Sequence, residues 1–236
     1  MDKTRNKIFV GCLALLLVMV VGYALFNQNL SINGTATAKG DFDIEITNAI
    51  IKTEKGSTGA TATISSDGKA LTITVPRLEY PSSYVDVSYN IENKGSIAAL
   101  FENYSITGET DTIKTEFSFE NLYYDKMDKS TENIRIYWDK DSNATEESAT
   151  ITLKMNFVQV GGKEKACEAL KNTANCIYDW EASYDTTLSC AQGIDDDFNL
   201  IPGANTYDFN HDGVLDMSDG GDIENFAYNK LGCSQN

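Results

Sequence analysis

The chain has a single histidine, His211, among its 236 residues, and nowhere does it carry an H-E-x-x-H pattern. A Ser-His-Asp hydrolase or a histidine-ligated zinc enzyme is built around an imidazole, so neither chemistry has material to work with. No nucleophile elbow, phosphate-binding loop or metal-base motif stands out. A glycosidase needs only two carboxylates, and a chain this acidic offers many, but nothing singles out a pair; a polysaccharide-acting enzyme stays as the last of three readings. Positive charge is also scarce, with 19 Lys and Arg against 35 Asp and Glu and a net charge of −16. Such a surface repels nucleic acid and anionic lipid, and it suits an exported domain that meets divalent cations. The expectation is a protein that is not an enzyme.

What is present is sharpest at Asp208–Asp219, which reads D-F-N-H-D-G-V-L-D-M-S-D. Oxygen-bearing side chains fall at loop positions 1, 3, 5, 9 and 12: Asp208, Asn210, Asp212, Asp216 and Asp219. Gly213 occupies position 6, where a calcium loop turns sharply. Val214 at position 7 would contribute its backbone carbonyl, and Leu215 at position 8 is apolar, as a residue pinning the loop to a core should be. A hard cation takes six to eight oxygens, and this spacing supplies them. These six residues, Asp208, Asn210, Asp212, Val214, Asp216 and Asp219, are the candidate Ca2+ ligands. Ile223, Phe226, Ala227, Lys230 and Leu231 then recur with helical spacing. Two other acidic stretches lack the glycine: Asp195-x-Asp197-x-Asn199 has Pro202 inside the would-be loop, and Asp139 to Asn143 is followed by Ala144 and reads as a polar hairpin loop.

Position 12 is an aspartate rather than the usual long glutamate, and the residues before the loop, 201–207, read as coil. An Asp-terminated EF-hand-type loop with only an exiting helix resembles the dockerin calcium repeat over residues 207–231. That resemblance implies calcium binding and, as an alternative function, recruitment to a cohesin-bearing partner through loop positions 10 and 11, here Met217 and Ser218. A dockerin carries two such repeats, and this chain has one.

The N-terminal segment sets the expected compartment. Residues 1–7 are basic, and Ile8–Phe26 is an uncharged apolar run of 19 residues, long enough to span a bilayer or to serve as a signal peptide. The positive-inside bias puts everything after Phe26 outside the cell. Gly22-Tyr23-Ala24 offers small residues for cleavage, and an uncleaved segment would be a membrane anchor. Cys12 reads as an apolar residue of the run. Tyr23 to Asn27, Asn33-Gly34-Thr35-Ala36 and the strand opening at Phe42 are similar to the export region of the camelysin/TasA-like proteins. The stretch Tyr84–Ala99, with its Asn-Lys-Gly-Ser turn, resembles the same family, and the similarity runs over roughly residues 20–158. It implies secretion by a Gram-positive bacterium, a β-sandwich, and a role at the cell surface or in a biofilm matrix.

Between residues 42 and 158, Thr, Ile, Val, Tyr and Phe alternate with polar residues. Strands are expected at 42–52, 60–66, 70–75, 84–92, 97–107, 115–119, 132–138 and 149–158, with a tight turn at Asp67-Gly68. Val85, Val87, Tyr89 and Ile91 mark one buried face. Eight short strands without a helical period between them predict an antiparallel β-sandwich, Ig-like or jelly-roll. Tyr137 and Trp138 read as core or rim.

Gly161-Gly162 opens a region of different composition, with a helix expected over 163–174. Cys167, Cys176, Cys190 and Cys233 all follow this break, within 67 residues. In an exported chain four cysteines without a CxxC pair predict two disulfides, with three connectivities possible. Cys233 follows the helix that leaves the calcium loop, so one disulfide is expected to tie that helix back to the one at 163–176. The expected organisation is thus a signal or transmembrane segment (1–26), a linker (27–41), a mainly β sandwich domain (42–160) and a small helical, disulfide-linked calcium module (161–236). The expected partners are calcium and, beyond it, surface proteins, polysaccharide or further copies of the chain.

Overall fold

The structure is a computed structural model that describes residues 40–117, 119–139 and 145–234. The apolar run, the cleavage and Cys12 readings, and the Tyr23–Asn27 and Asn33–Ala36 motifs lie outside the described residues, as does most of the Asp139–Asn143 loop. Among the described residues, no helix is long and apolar enough to cross a membrane.

Among the described residues, alternation of β-branched and aromatic residues with polar ones produces nine strands: β1 (Ile44–Lys55), β2 (Thr61–Ile64), β3 (Ala70–Leu78), β4 (Tyr84–Asn93), β5 (Ala98–Thr107), β6 (Ile113–Phe117), β7 (Tyr123–Tyr124), β8 (Lys129–Trp138) and β9 (Glu147–Val160). All eight expected strands are present, and only the two-residue β7 is additional. One sheet runs β1-β4-β8-β6 and the other β2-β3-β9-β5-β7, and every pairing is antiparallel. Successive strand residues face opposite ways, so Val85, Val87, Tyr89 and Ile91 of β4 enter the core together with Leu71, Ile73, Ile151 and Leu153 of the other sheet. This is the arrangement of a β-sandwich. The Asp67-Gly68 turn joins β2 to β3, with Gly68 at φ 68°. It also seals the start of the edge strand β1, because the Ile46 N–H donates to the Gly68 carbonyl at 2.8 Å.

The core is not purely apolar. Glu132 of β8 is fully buried. It accepts hydrogen bonds from the Ser130 hydroxyl at 2.7 Å and the Glu120 N–H at 2.9 Å. Burial nevertheless holds its carboxyl above the usual range, because desolvation disfavours the charged form. Trp138 is core, 1% exposed.

After β9, Gly162 at φ 95° turns the chain into helix α1 (Lys163–Ser183). The helix runs past residue 174 because its buried stripe continues: Ala166, Leu170, Ala174, Ile177 and Trp180 recur every three or four residues. It ends at Tyr184, whose left-handed backbone lets its N–H reach the Trp180 carbonyl. A short 3₁₀ turn (Ser189–Ala191) and a long irregular stretch lead to α2 (Met217–Asn225), which continues into one π turn (Phe226–Lys230). Ile223, Phe226 and Ala227 are buried, and α2 packs against α1.

Two disulfides hold this region. Cys167 pairs with Cys233, with Cα atoms 5.6 Å apart, so the end of the chain is tied back to α1. Cys176 pairs with Cys190 and fixes the 3₁₀ turn to α1. From Gly40 onward the chain forms one compact unit, which takes in the region after Gly162.

Candidate metal loop and its seat on the sandwich

The segment Asp208–Asp219 folds as a closed loop because its short polar side chains bond to nearby backbone N–H groups. Asp208 accepts from Asp212 N–H at 3.2 Å and from Gly213 N–H at 3.0 Å. The Asn210 side-chain oxygen also accepts from Asp212 N–H, and Asp212 accepts from Val214 N–H. Each is a local turn of the kind Asp and Asn favour. Gly213 stands at φ 90°, so the position read as a glycine requirement is one. Asp216 then caps α2, accepting from Ser218 N–H at 2.7 Å, while Asp219 accepts from Asp216 N–H at 3.0 Å to complete a capping box.

Asp219 also closes the loop across its mouth. Its other oxygen accepts from Phe209 N–H at 2.7 Å and Asn210 N–H at 3.3 Å. Positions 1 and 12 are the buried pair: Asp208 is 1% exposed and Asp219 0%. Burial pushes the Asp219 carboxyl up to about 7, with the Asp208 charge adding to the shift, and burial likewise raises Asp208. Two neighbouring buried carboxylates are costly unless a cation compensates them. Asn210, Asp212, Val214 and Asp216 lie nearer solvent. As they stand, no three His, Cys, Asp or Glu side chains among the described residues close into an ion-holding cluster. The donor set nevertheless fits a hard cation: an ionised carboxylate has about four acceptor sites, and the backbone N–H groups engage only some of them.

The alternate residues of the loop do something the sequence reading missed. Phe209 and His211 turn away from the carboxylates and pack on the sandwich. The Phe209 ring lies 5.7 Å from Phe101, and the His211 ring 4.4 Å from Phe117. His211 Nδ1 is 2.8 Å from the Tyr104 hydroxyl, which itself donates to the Asp208 carbonyl at 2.7 Å. That leaves Nδ1 as the donor to Tyr104. Nε2 is 2.9 Å from Thr115 Oγ1. Glu109 accepts from both the Thr115 N–H and its hydroxyl at 2.7 Å. Burial works to raise the Glu109 carboxyl, but the bonds from His211 and Thr115 outweigh it and leave it low. Just ahead of the loop, Thr206 and Tyr104 exchange two backbone hydrogen bonds, at 3.3 and 2.7 Å. His211 holds a left-handed backbone, φ 58°, which lets Asn210 and Asp212 face inward while the ring faces out.

Trp180 supports the loop from the opposite side, donating its indole N–H to the Leu215 carbonyl at 3.1 Å. Leu215 is buried as expected of position 8. Ser218, at a position the dockerin resemblance assigns to partner reading, is exposed and bonds within the loop: its hydroxyl donates to Asp216 at 2.6 Å and accepts from Asn210 at 2.7 Å. Met217 beside it is 58% exposed. The stretch from Asp195 is a simpler turn. Asp195 gathers the N–H groups of Asp197 and Asn199 at 2.9 and 2.8 Å, and Ile194 bridges Leu200. Asp197 and Asn199 are exposed and Asp195 is only half-buried, unlike the buried Asp208 and Asp219. Tyr104, Glu109 and Thr115 carry no signal in the sequence that would pair them with residue 211, some hundred positions away.

A comparison of the chain with protein-family models, with curated proteins and with solved structures finds no match in any of the three.

Proposed function

We propose that this is an exported, non-enzymatic structural or adhesive protein of a bacterial cell surface or matrix, whose C-terminal region is held by calcium. The single observation that carries the calcium part is the buried pair Asp208 and Asp219 at the two ends of one loop. The ion would be held by the side chains of Asp208, Asn210, Asp212, Asp216 and Asp219 and by the Val214 carbonyl. Bound there, calcium supplies positive charge that offsets the buried carboxylates. Asp216 and Asp219 also form the capping box of α2, so holding them steadies the start of that helix. Binding and local folding are thereby coupled.

The rest of the reading is supported by composition and covalent structure. A net charge of −16 and two disulfides suit an oxidising, cation-bearing exterior. The apolar run Ile8–Phe26 supports export, with the sandwich carried outside as a body for adhesion or assembly. Extracellular calcium modules bind at about 10⁻⁴ to 10⁻³ M, which makes the ion structural rather than a signal.

The test is a calorimetric calcium titration of the full chain, alongside a thermal melt, with Asp208→Ala/Asp212→Ala as control. At about a twentyfold excess of calcium over Kd, the linkage is about 1.8 kcal/mol. For a body of this size that corresponds to a rise of about 4–7 °C in Tm. The double variant should show neither heat nor shift. A wild type that binds no calcium overturns the reading. Export is checked separately by protease treatment of intact cells, which should degrade the sandwich.

A further inference from the structure

The loop has two faces within five residues. Asp208, Asn210 and Asp212 present oxygens to its interior, while Phe209 and His211 between them fill the space where the two sheets of the sandwich meet. The strands they cover lie at sheet edges: β6 ends one sheet, its Thr115 N–H held by the Glu109 side chain, and beyond the pairing with β7 and Leu122 the outer edge of β5 is met by Thr206. Phe209 and His211 lie over an aromatic group formed by Phe101, Tyr104, Phe117 and Phe119, whose neighbouring rings are 4.2–5.5 Å apart. Polar anchoring falls on the same spot, since Tyr104 holds both the His211 ring and the Asp208 carbonyl. A residue on the ion side and a residue on the sandwich side are therefore never more than one peptide apart. The backbone that orients Asp208, Asn210 and Asp212 is the backbone that seats Phe209 and His211.

We propose that the loop is a calcium-set seal. When the ion holds it, Phe209 and His211 close the sandwich over the β5 and β6 edges; when the ion leaves, those edges and the aromatic group beneath are uncovered. This rests on the calcium reading above and adds that the sandwich, which contributes none of the ligands, responds to the ion. The responding surface is the junction of the two sheets, and the device that transmits the change is the alternation of side chains along residues 208–212.

The experiment is amide hydrogen exchange on the full chain across a calcium series, read at Tyr104, Thr115 and Thr206, with calorimetry on the same samples. If opening the seal requires release of the ion, protection at these amides rises in proportion to 1 + [Ca]/Kd, about twentyfold at a twentyfold excess. Amides of the β2–β3 turn, at the far edge, serve as the reference and should not move. Two variants test the transmission: His211→Asn, which tolerates the left-handed backbone, and Phe209→Leu, which keeps an apolar side chain. Both should still bind calcium while the three amides lose most of their dependence on it. Binding without any change at Tyr104, Thr115 and Thr206 overturns the seal and leaves the calcium site standing. Variants that keep the full dependence overturn the role of Phe209 and His211. No binding in the wild type removes both the site and the seal.

Discussion

The sandwich and the region after Gly162 are stabilised by different means. Most strands of the sandwich bury one face against the opposite sheet, so its core is a set of aliphatic and aromatic side chains, with the buried Glu132 among them and no crosslink. The later region has one long helix, one short one and a stretch from Tyr184 to Asp216 with little regular structure. Its buried apolar stripe is narrow, and two disulfides and a carboxylate-rich loop stand where a larger core would be. A segment of that size is marginal on burial alone. The comparison teaches that crosslinks and unbalanced negative charge are concentrated where the packing is thin, and that the thin region borrows part of its core from the thick one through Phe209 and His211.

The chain provides its own probes for this contrast, because Trp138 sits in the sandwich and Trp180 in the later region, each nearly fully buried. Trp138→Phe and Trp180→Phe backgrounds would report the two regions separately in urea unfolding. The largest expected effect is removal of the long crosslink. Cys167 and Cys233 are 66 residues apart, and opening a loop of that length costs about 4 kcal/mol. The Cys167→Ser/Cys233→Ser variant should shift the Trp180 transition strongly and the Trp138 transition much less; equal shifts would mean that the two regions unfold as one. Cys176 and Cys190 close a span of 14, and their removal should cost about 3 kcal/mol by the same relation.

A smaller effect sharpens the view that the sandwich, too, carries a charge cost. Burial holds Glu132 above its ordinary value, so the folded chain binds that proton more tightly than the unfolded one. Its favourable contribution is complete below the unfolded value and is lost as pH rises through the folded one. Relative to the wild type, Glu132→Gln should therefore flatten the loss of stability on going from acid to neutral pH. Urea midpoints at several pH values check this, and an unchanged slope would remove Glu132 from the account. The smallest effect belongs to Asp195→Ala. It breaks a turn whose carboxylate is only half-buried, so it should cost under about 1 kcal/mol and leave the calcium titration untouched. A lost calcium response would make the Asp195 turn a second site.

Much of this was legible in the residue order. The strands could be read because period-two alternation is a local signal, and Val85, Val87, Tyr89 and Ile91 occupy the face expected of them. The link between Cys233 and the first helix could be anticipated because the helix leaving the loop ends beside it. The two-residue β7 could not, since Tyr123 and Tyr124 are too few to show a period. The extension of α1 to Ser183 was masked by Asn172, Thr173 and Asn175, poor helix formers whose effect is overridden by the burial of Ile177 and Trp180. The seat of the loop on the sandwich was invisible for a different reason. It depends on contacts such as Tyr104 with His211, 107 positions apart, and on which way two side chains turn inside a loop whose spacing spoke only of oxygens.

The crosslink between Cys167 and Cys233 has one more consequence, and it concerns chain cleavage. The exposed run Asp196–Asn199 of the later region lies between those two cysteines. A protease that cuts there opens the polypeptide without releasing any part of it. The fragments stay joined, and they come apart only when the sulfur bridge is reduced. Outside a cell, where proteases are common and reductant is not, a nicked molecule keeps all its parts attached.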